Sequence, residues 1–165
     1  MKRALCALSL LGLVAYAYSN DSHGEEILQN GSFENGLTGW KAPTSGIALR
    51  NDAGSAASGE AYVVATISEG HTLNLIQPLG KLEGGQKYLV SLKARNNSSS
   101  DARLIIRNLL NGKYLNSGTI DAGDNWTPLE TTFTAPADGS PVSLEISFRA
   151  AGSCEIDDVQ VTRLK

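Results

Sequence analysis

From Ala61 to its end the chain is a succession of short β-patterned runs divided by clusters of turn residues, and no stretch keeps a helical spacing of apolar residues for three turns. The runs are Ala61–Ile67, Thr72–Gln77, Lys87–Arg95, Arg103–Leu110, Tyr114–Ile120, Thr127–Thr134, Val142–Arg149 and Cys154–Arg163. Between them lie Glu83-Gly84-Gly85, Asn111-Gly112-Lys113, Pro136 to Pro141 and similar breaks. Asn-Gly between two apolar runs is a strong hairpin signal, because both residues accept the positive φ of a tight turn. Strands at this spacing predict an all-β domain of two packed sheets, a β-sandwich of jelly-roll type.

Alternation assigns faces. Tyr88, Val90, Leu92 and Ala94 suit a core, which turns Ser91, Lys93 and Arg95 outward. In the same way Val142, Leu144, Ile146 and Phe148 point in, while Ser143, Glu145, Ser147 and Arg149 point out. Leu104, Ile106 and Leu110 inward leave Arg103, Ile105, Arg107 and Leu109 outward, and Val63, Ala65 and Ile67 inward leave Tyr62, Val64 and Thr66 outward. Several outward faces therefore carry arginine on a chain whose net charge is −3.

The stretch Ile27–Trp40, ILQNGSFENGLTGW, mixes apolar residues with turn formers and sets one acid, Glu34, beside the aromatic Phe33. It reads as a strand, a tight corner carrying a carboxylate, and a second corner that delivers Trp40 to a core. The following segment, Lys41 to Gly59, is rich in Gly, Ala and Ser and reads as loop with a short apolar patch at Ile47 to Leu49.

Ahead of this, residues 1–17 carry Lys2 and Arg3, an apolar run, and the small-residue pattern Ala15-Tyr16-Ala17. That is a signal peptide with cleavage near Ala17, and residues 18–26 form a polar leader to a domain spanning 27–165. The apolar run is short of the ~20 residues that span a bilayer, so a secreted chain with no membrane segment is expected, periplasmic or extracellular. Removing Lys2 and Arg3 makes the chain more acidic still, which excludes general nucleic-acid binding. Only one of the two cysteines, Cys154, survives such processing, so no internal disulfide is available and the thiol reads as a small buried hydrophobe. The histidines His23 and His71 stand apart, and no G-x-S-x-G, H-E-x-x-H or Cys-His setting is present, so no catalytic residues are assigned.

The segments NGSFENGLTGW, SGEAYVV, QPLGKLEGGQKYLVSLKAR and CEIDDVQVTRL, with the spacing of Trp126 and Phe133, together resemble carbohydrate-binding modules of families four, nine and twenty-two. These are β-sandwiches related to the galactose-binding-like fold. The resemblance implies a monomeric, non-catalytic module that holds a polysaccharide or oligosaccharide, neutral or acidic, along one concave sheet. It also implies a structural calcium near the termini. Glu34 and Asp157 would be its carboxylate ligands, with main-chain carbonyls from the turn that includes Ala57 and Glu60. Asp157 is preferred to Asp158 because it shares strand parity with Val159 and Val161. Otherwise these acids cap turns or pair with Lys or Arg.

Phe33, Trp40, Tyr88, Trp126 and Phe133 fall at positions assigned to the core, leaving Tyr62 and Tyr114 to stack against sugar rings. Gln77, Arg95, Arg107 and Arg149 complete the expected ligand-binding set, because planar amides and guanidinium groups bond hydroxyls or acidic substituents. The alternative is an extracellular adhesion or matrix domain of the same fold that binds protein, marked by an exposed apolar patch of Ile105, Leu109 and Val64.

Overall fold

The computed structural model describes residues 23–96 and 102–165; the expected signal peptide lies outside them. Ten strands form: β1 (His23–Glu26), β2 (Ile47–Asn51), β3 (Ala61–Ile67), β4 (Leu73–Gly80), β5 (Lys87–Asn96), β6 (Ala102–Asn108), β7 (Tyr114–Ile120), β8 (Thr127–Thr134), β9 (Val142–Phe148) and β10 (Gly152–Leu164). Sheet A runs β2-β3-β10-β5-β8 with β1 added to β10, and sheet B runs β4-β9-β6-β7. Every pairing is antiparallel. The two sheets close on one core that includes Val63, Val90, Leu92 and Val161 from sheet A and Leu75, Leu104, Ile106, Leu144 and Ile146 from sheet B. The all-β sandwich expected from the alternation is thus the observed fold.

The eight runs read from the pattern match β3 to β10 within a few residues. Two strands were not expected. β2 lies in the segment read as loop; Ile47 and Leu49 face the core opposite Ala65 and Val63, so only alternate residues carry the signal. β1 takes His23 to Glu26 out of the polar leader and pairs them with Leu164 and Thr162, where backbone bonding needs no apolar pattern. Leu110, expected inward, lies beyond the end of β6 in the hairpin turn and is 74% exposed. The hairpin expected from Asn111-Gly112 forms, but through a five-residue loop in which only Gly112 of the pair has positive φ, 71°, and its N–H donates to the Asn108 carbonyl at 2.9 Å.

Ile27–Trp40 forms consecutive turns that fasten to β10. Ile27 N–H donates to the Val161 carbonyl (2.9 Å), and Val159 N–H donates to the Gly31 carbonyl (3.0 Å). Asn30 holds the loop's shape: its amide nitrogen donates to the Gly36 and Thr38 carbonyls and its side-chain oxygen accepts from Asn35 N–H. Trp40 donates its indole N–H to the Asn30 carbonyl at 3.0 Å and packs its ring 5.4 Å from that of fully buried Phe33. Phe33 itself sits at a φ of 58°, a left-handed conformation that costs a non-glycine residue about 1–2 kcal/mol and is offset here by burial of the ring.

Gly31 is required where the loop meets β10. A Cβ there would stand 1.7 Å from the Val159 carbonyl oxygen, whereas a Cβ at Gly36 would meet nothing within 4 Å. Gly31→Ala is therefore expected to cost about 3 kcal/mol by forcing the loop off β10. Gly36→Ala, with a φ of 63°, is expected to cost only about 1 kcal/mol of backbone strain. Urea unfolding midpoints of the two variants check the difference.

Candidate functional site

Strand register maps the outer face of sheet B as transverse rows. One row crosses Pro78, Ser143, Arg107 and Tyr114; the next crosses Ile76, Glu145, Ile105 and Ser117; the third crosses Asn74, Ser147, Arg103 and Thr119. With strands about 4.8 Å apart the face is about 14 Å wide. Its centre is recessed: Ser143, Ser147 and Glu145 point away from the core yet are only 2%, 2% and 7% exposed. Neighbouring arginines lie over them. Arg107 donates from Nε to Glu145 Oε2 at 3.0 Å, with Nη2 2.9 Å from the same oxygen, and Arg149 Nε donates to Ser147 Oγ at 3.3 Å.

Tyr114 closes the first row. Its ring lies 4.7 Å below the Arg107 guanidinium carbon, its hydroxyl accepts from Arg107 Nη2 at 3.4 Å, and 53% of the residue is exposed. Burial works to lower the Arg107 pKa, but the bonds and charge of Glu145, aided by Tyr114, outweigh it and leave the value raised. Arg107 is thus a fixed, planar cation with an aromatic face beside it. In the third row the side-chain oxygen of Asn74 is buried without a hydrogen-bond partner among the described residues.

The six expected ligand-binding residues do not share one face. Arg107, Arg149 and Tyr114 lie on the outer face of sheet B, whereas Tyr62 and Arg95 lie on the outer face of sheet A. There Arg95 is paired with Glu155 and stacked over Tyr62 and Trp126, 5.5 and 4.6 Å from their ring centres. Tyr62 is buried under this cluster and offers no open platform. Gln77 points into the sandwich, opposite Leu144; its amide accepts from Gln29 N–H (2.7 Å) and donates to the Gln29 carbonyl (2.9 Å), so both of its groups serve the fold.

Trp126, expected in the core, is also on the outside of sheet A, with its indole N–H bonded to the Ser55 carbonyl at 2.8 Å and its ring edge-on to Tyr62. It immediately precedes β8, where the sheet's alternation does not bind it. The proposed apolar patch is likewise divided, since Ile105 is buried on sheet B and Val64 lies on sheet A. Glu145, expected outward but not in the ligand-binding set, and Asn74 lie in register with Ile105 and Ser147, which places both on the face that carries Arg107.

Residues Glu34, Ala57, Glu60 and Asp157, expected to hold calcium, do come together. Glu34 Oε1 accepts the N–H groups of Glu60 and Ala61, both at 2.8 Å. Asp157, fully buried, accepts Ala57 N–H (2.9 Å) and Ser58 N–H (3.1 Å) on Oδ2 and Asp158 N–H (2.7 Å) on Oδ1. The turn therefore aims N–H donors at the carboxylates, whereas calcium needs oxygen ligands, usually six to eight. Among the described residues no group of three or more His, Cys, Asp or Glu side chains is arranged to hold a metal. The contacts are those of acids capping a turn.

The fold is thus a two-sheet β-sandwich whose sheet B carries a recessed polar outer face edged by an exposed tyrosine. Residues 25–152 match the family model described as a carbohydrate binding domain, of the family 4 and 9 type, and the chain belongs to this family of carbohydrate-binding modules. Among solved structures it is similar to TmCBM61 in complex with β-1,4-galactotriose, with a TM-score of 0.68 and 19% identity over 85% of this chain and 99% of that one. It is also similar to the CBM22-1 xylan-binding domain of Paenibacillus barcinonensis Xyn10C, with a TM-score of 0.65 and 20% identity over 87% and 97% of the two chains. A third similarity, at a TM-score of 0.68 and 15% identity, is to the enzymatically active domain of bacteriophage CBA120 tailspike protein 4; it covers 84% of this chain and only 21% of that one. Among curated protein sequences none matches.

Burial raises the Asp157 carboxyl above the usual carboxylate range; the N–H donors of Asp158, Ser58 and Ala57 oppose the rise and the charge of Asp158 adds to it. A carboxyl raised in this way binds its proton more tightly folded than unfolded. Its stabilising contribution is thus complete below the ordinary range and is lost as pH rises through the folded value. The melting-temperature advantage of wild type over Asp157→Asn is expected to narrow as pH rises above the ordinary carboxylate range of about 4. An advantage that widens instead would mean that the N–H donors outweigh burial.

Proposed function

We propose that the chain is a secreted, non-catalytic module that holds a polysaccharide across the outer face of sheet B, with Tyr114, Arg107, Glu145, Asn74 and Arg149 as the contacting residues. The observation that carries this reading is the Arg107–Glu145 pair set beside the exposed Tyr114 ring. A pyranose offers an apolar face to stack on the ring and hydroxyls that both donate and accept, so the guanidinium and carboxylate are each served. Glu145 is the only carboxylate in the three described rows of this face, and glycoside hydrolysis ordinarily uses two. Glu145 neutralises Arg107, whereas Arg149 meets the Ser147 hydroxyl, so the face suits neutral glycans and acidic ones alike. The β-linked sugars named for the two similar modules, galactotriose and xylan, are the first probes.

On an affinity gel cast with a neutral β-linked polysaccharide, Tyr114→Ala and Arg107→Ala are each expected to weaken retention about tenfold or more, equivalent to ~1.4 kcal/mol. Arg95→Ala, on the other sheet, is expected to leave it unchanged. Retention lost equally in all three, or never seen with neutral or acidic polymers, would overturn the proposal. The adhesion reading has one observation in its favour, the exposure of Leu109 (48%) and Leu110 (74%) at the β6–β7 tip. A Leu110→Ser variant that abolishes a protein contact while leaving glycan retention intact would support it.

Secretion rests on the signal peptide expected to be cleaved near Ala17, and the N-terminal mass of the exported protein tests it. Calcium at Glu34 and Asp157 is retained as a proposal supported by the convergence of two carboxylates on one turn and opposed by the N–H donors that fill them. Glu34→Ala is expected to cost about 1–2 kcal/mol in either case, since two backbone N–H groups lose their acceptor. Chelation separates the cases: calcium requires that a chelator lower the melting temperature, and capping alone requires that it not change.

A further inference from the structure

The outer face of sheet A holds a groove of about 260 Å³ lined by Ser91, Lys93, Pro128, Glu130, Asp158 and Gln160 with the backbone of Leu92 and Leu129. Register sets three of these in one row, Gln160 beside Ser91 and Ser91 beside Glu130. The row spans three strands, about 10 Å. None of these three side chains has a hydrogen-bond or ion-pair partner among the described residues. In the adjoining row Lys93 Nζ lies 2.8 Å from Asp158 Oδ2, Ser58 Oγ donates to Asp158 Oδ1, and Pro128 stands opposite Lys93.

The row of Ser91, Glu130 and Gln160 is thus open to solvent in a depression with a fixed ion pair at one side and Pro128 as a wall, and its donors and acceptors are free to meet a ligand. We propose that this groove is a second binding site, separate from the face that carries Tyr114, and that it takes the hydroxyl groups of a single neutral sugar ring. Its volume lies below the roughly 300–1,000 Å³ of sites that enclose drug-sized ligands, which suits one ring. Glu130 and Asp158 outnumber the one cation, Lys93, which disfavours an acidic sugar. Hydroxyls suit the row because they donate to Glu130 and to the Gln160 carbonyl and accept from Ser91 and the Gln160 amide. Since the two sites lie on opposite sheets, one domain would join two separate glycan chains.

The test is an NMR titration of the purified chain with methyl β-D-galactopyranoside and methyl β-D-xylopyranoside. Amide shifts are expected at Ser91, Glu130 and Gln160, retained in Tyr114→Ala and abolished in the double variant Glu130→Ala, Gln160→Ala, whose changes lie on the surface. No shift at these three amides with either sugar, or shifts that persist in the double variant, would overturn the proposal. Loss of polysaccharide retention by the sheet B face with these shifts intact would instead count against the first site alone.

Discussion

β10 keeps β5 along one edge and changes partner along the other at the bulge of Asp157–Asp158. From Gly152 to Ile156 its other edge is taken by β3, and from Val159 to Leu164 the same edge is served by the opening segment and β1. Between these partners the register against β5 slips at the Asp157–Gln160 step, and Asp158 adopts a φ of 50°. The bulge turns the buried Asp157 carboxylate toward the N–H groups of Ala57 and Ser58, while Glu34 takes those of Glu60 and Ala61. One five-residue turn is thereby gripped from both ends of the sequence. Gly31 permits the close approach that makes this possible, since any side chain there would enter the Val159 carbonyl.

With the sandwich closed in this way, its two outer faces meet water under different conditions. On sheet A, Arg95 is consumed by Glu155 and by the rings of Tyr62 and Trp126, so that end of the face is filled by its own side chains. On sheet B the arginines lie over small or acidic residues of β9, and the one aromatic, Tyr114, remains open. Arg95 and Arg107 are each paired with a carboxylate, Glu155 and Glu145, so neither presents an uncompensated positive charge to a ligand.

The strands were legible because alternation is a local property: Val142 to Phe148 and Lys87 to Arg95 announce their inward sets without reference to any partner. The Asn111-Gly112 hairpin and the association of the first and last segments were legible for the same reason, one from turn chemistry and the other from motif likeness. What alternation cannot say is which sheet a strand joins. Arg95 and Arg107 look equivalent in sequence, and only the strand order sends one to sheet A and the other to sheet B. Gln77 shows a second limit, for its parity was right for the core while its polarity suggested the surface, and only the partner at Gln29 resolves the conflict. Trp126 shows a third, since a residue at a strand's edge escapes the face assignment of the strand.

Placing the last strand between β3 and β5 has a consequence for the order in which the chain becomes a protein. β3, β5 and β8 leave the ribosome well before β10, yet β3 and β5 have no common partner until β10 arrives to fill the gap between them. Contacts such as those of Ala57 and Ser58 with Asp157, 100 and 99 residues apart, form only then. Long-range pairing of this kind is slow, and its unpaired edges remain exposed while it waits. A sheet wired in this manner cannot close until β10 has been made, so its two halves wait on a single strand.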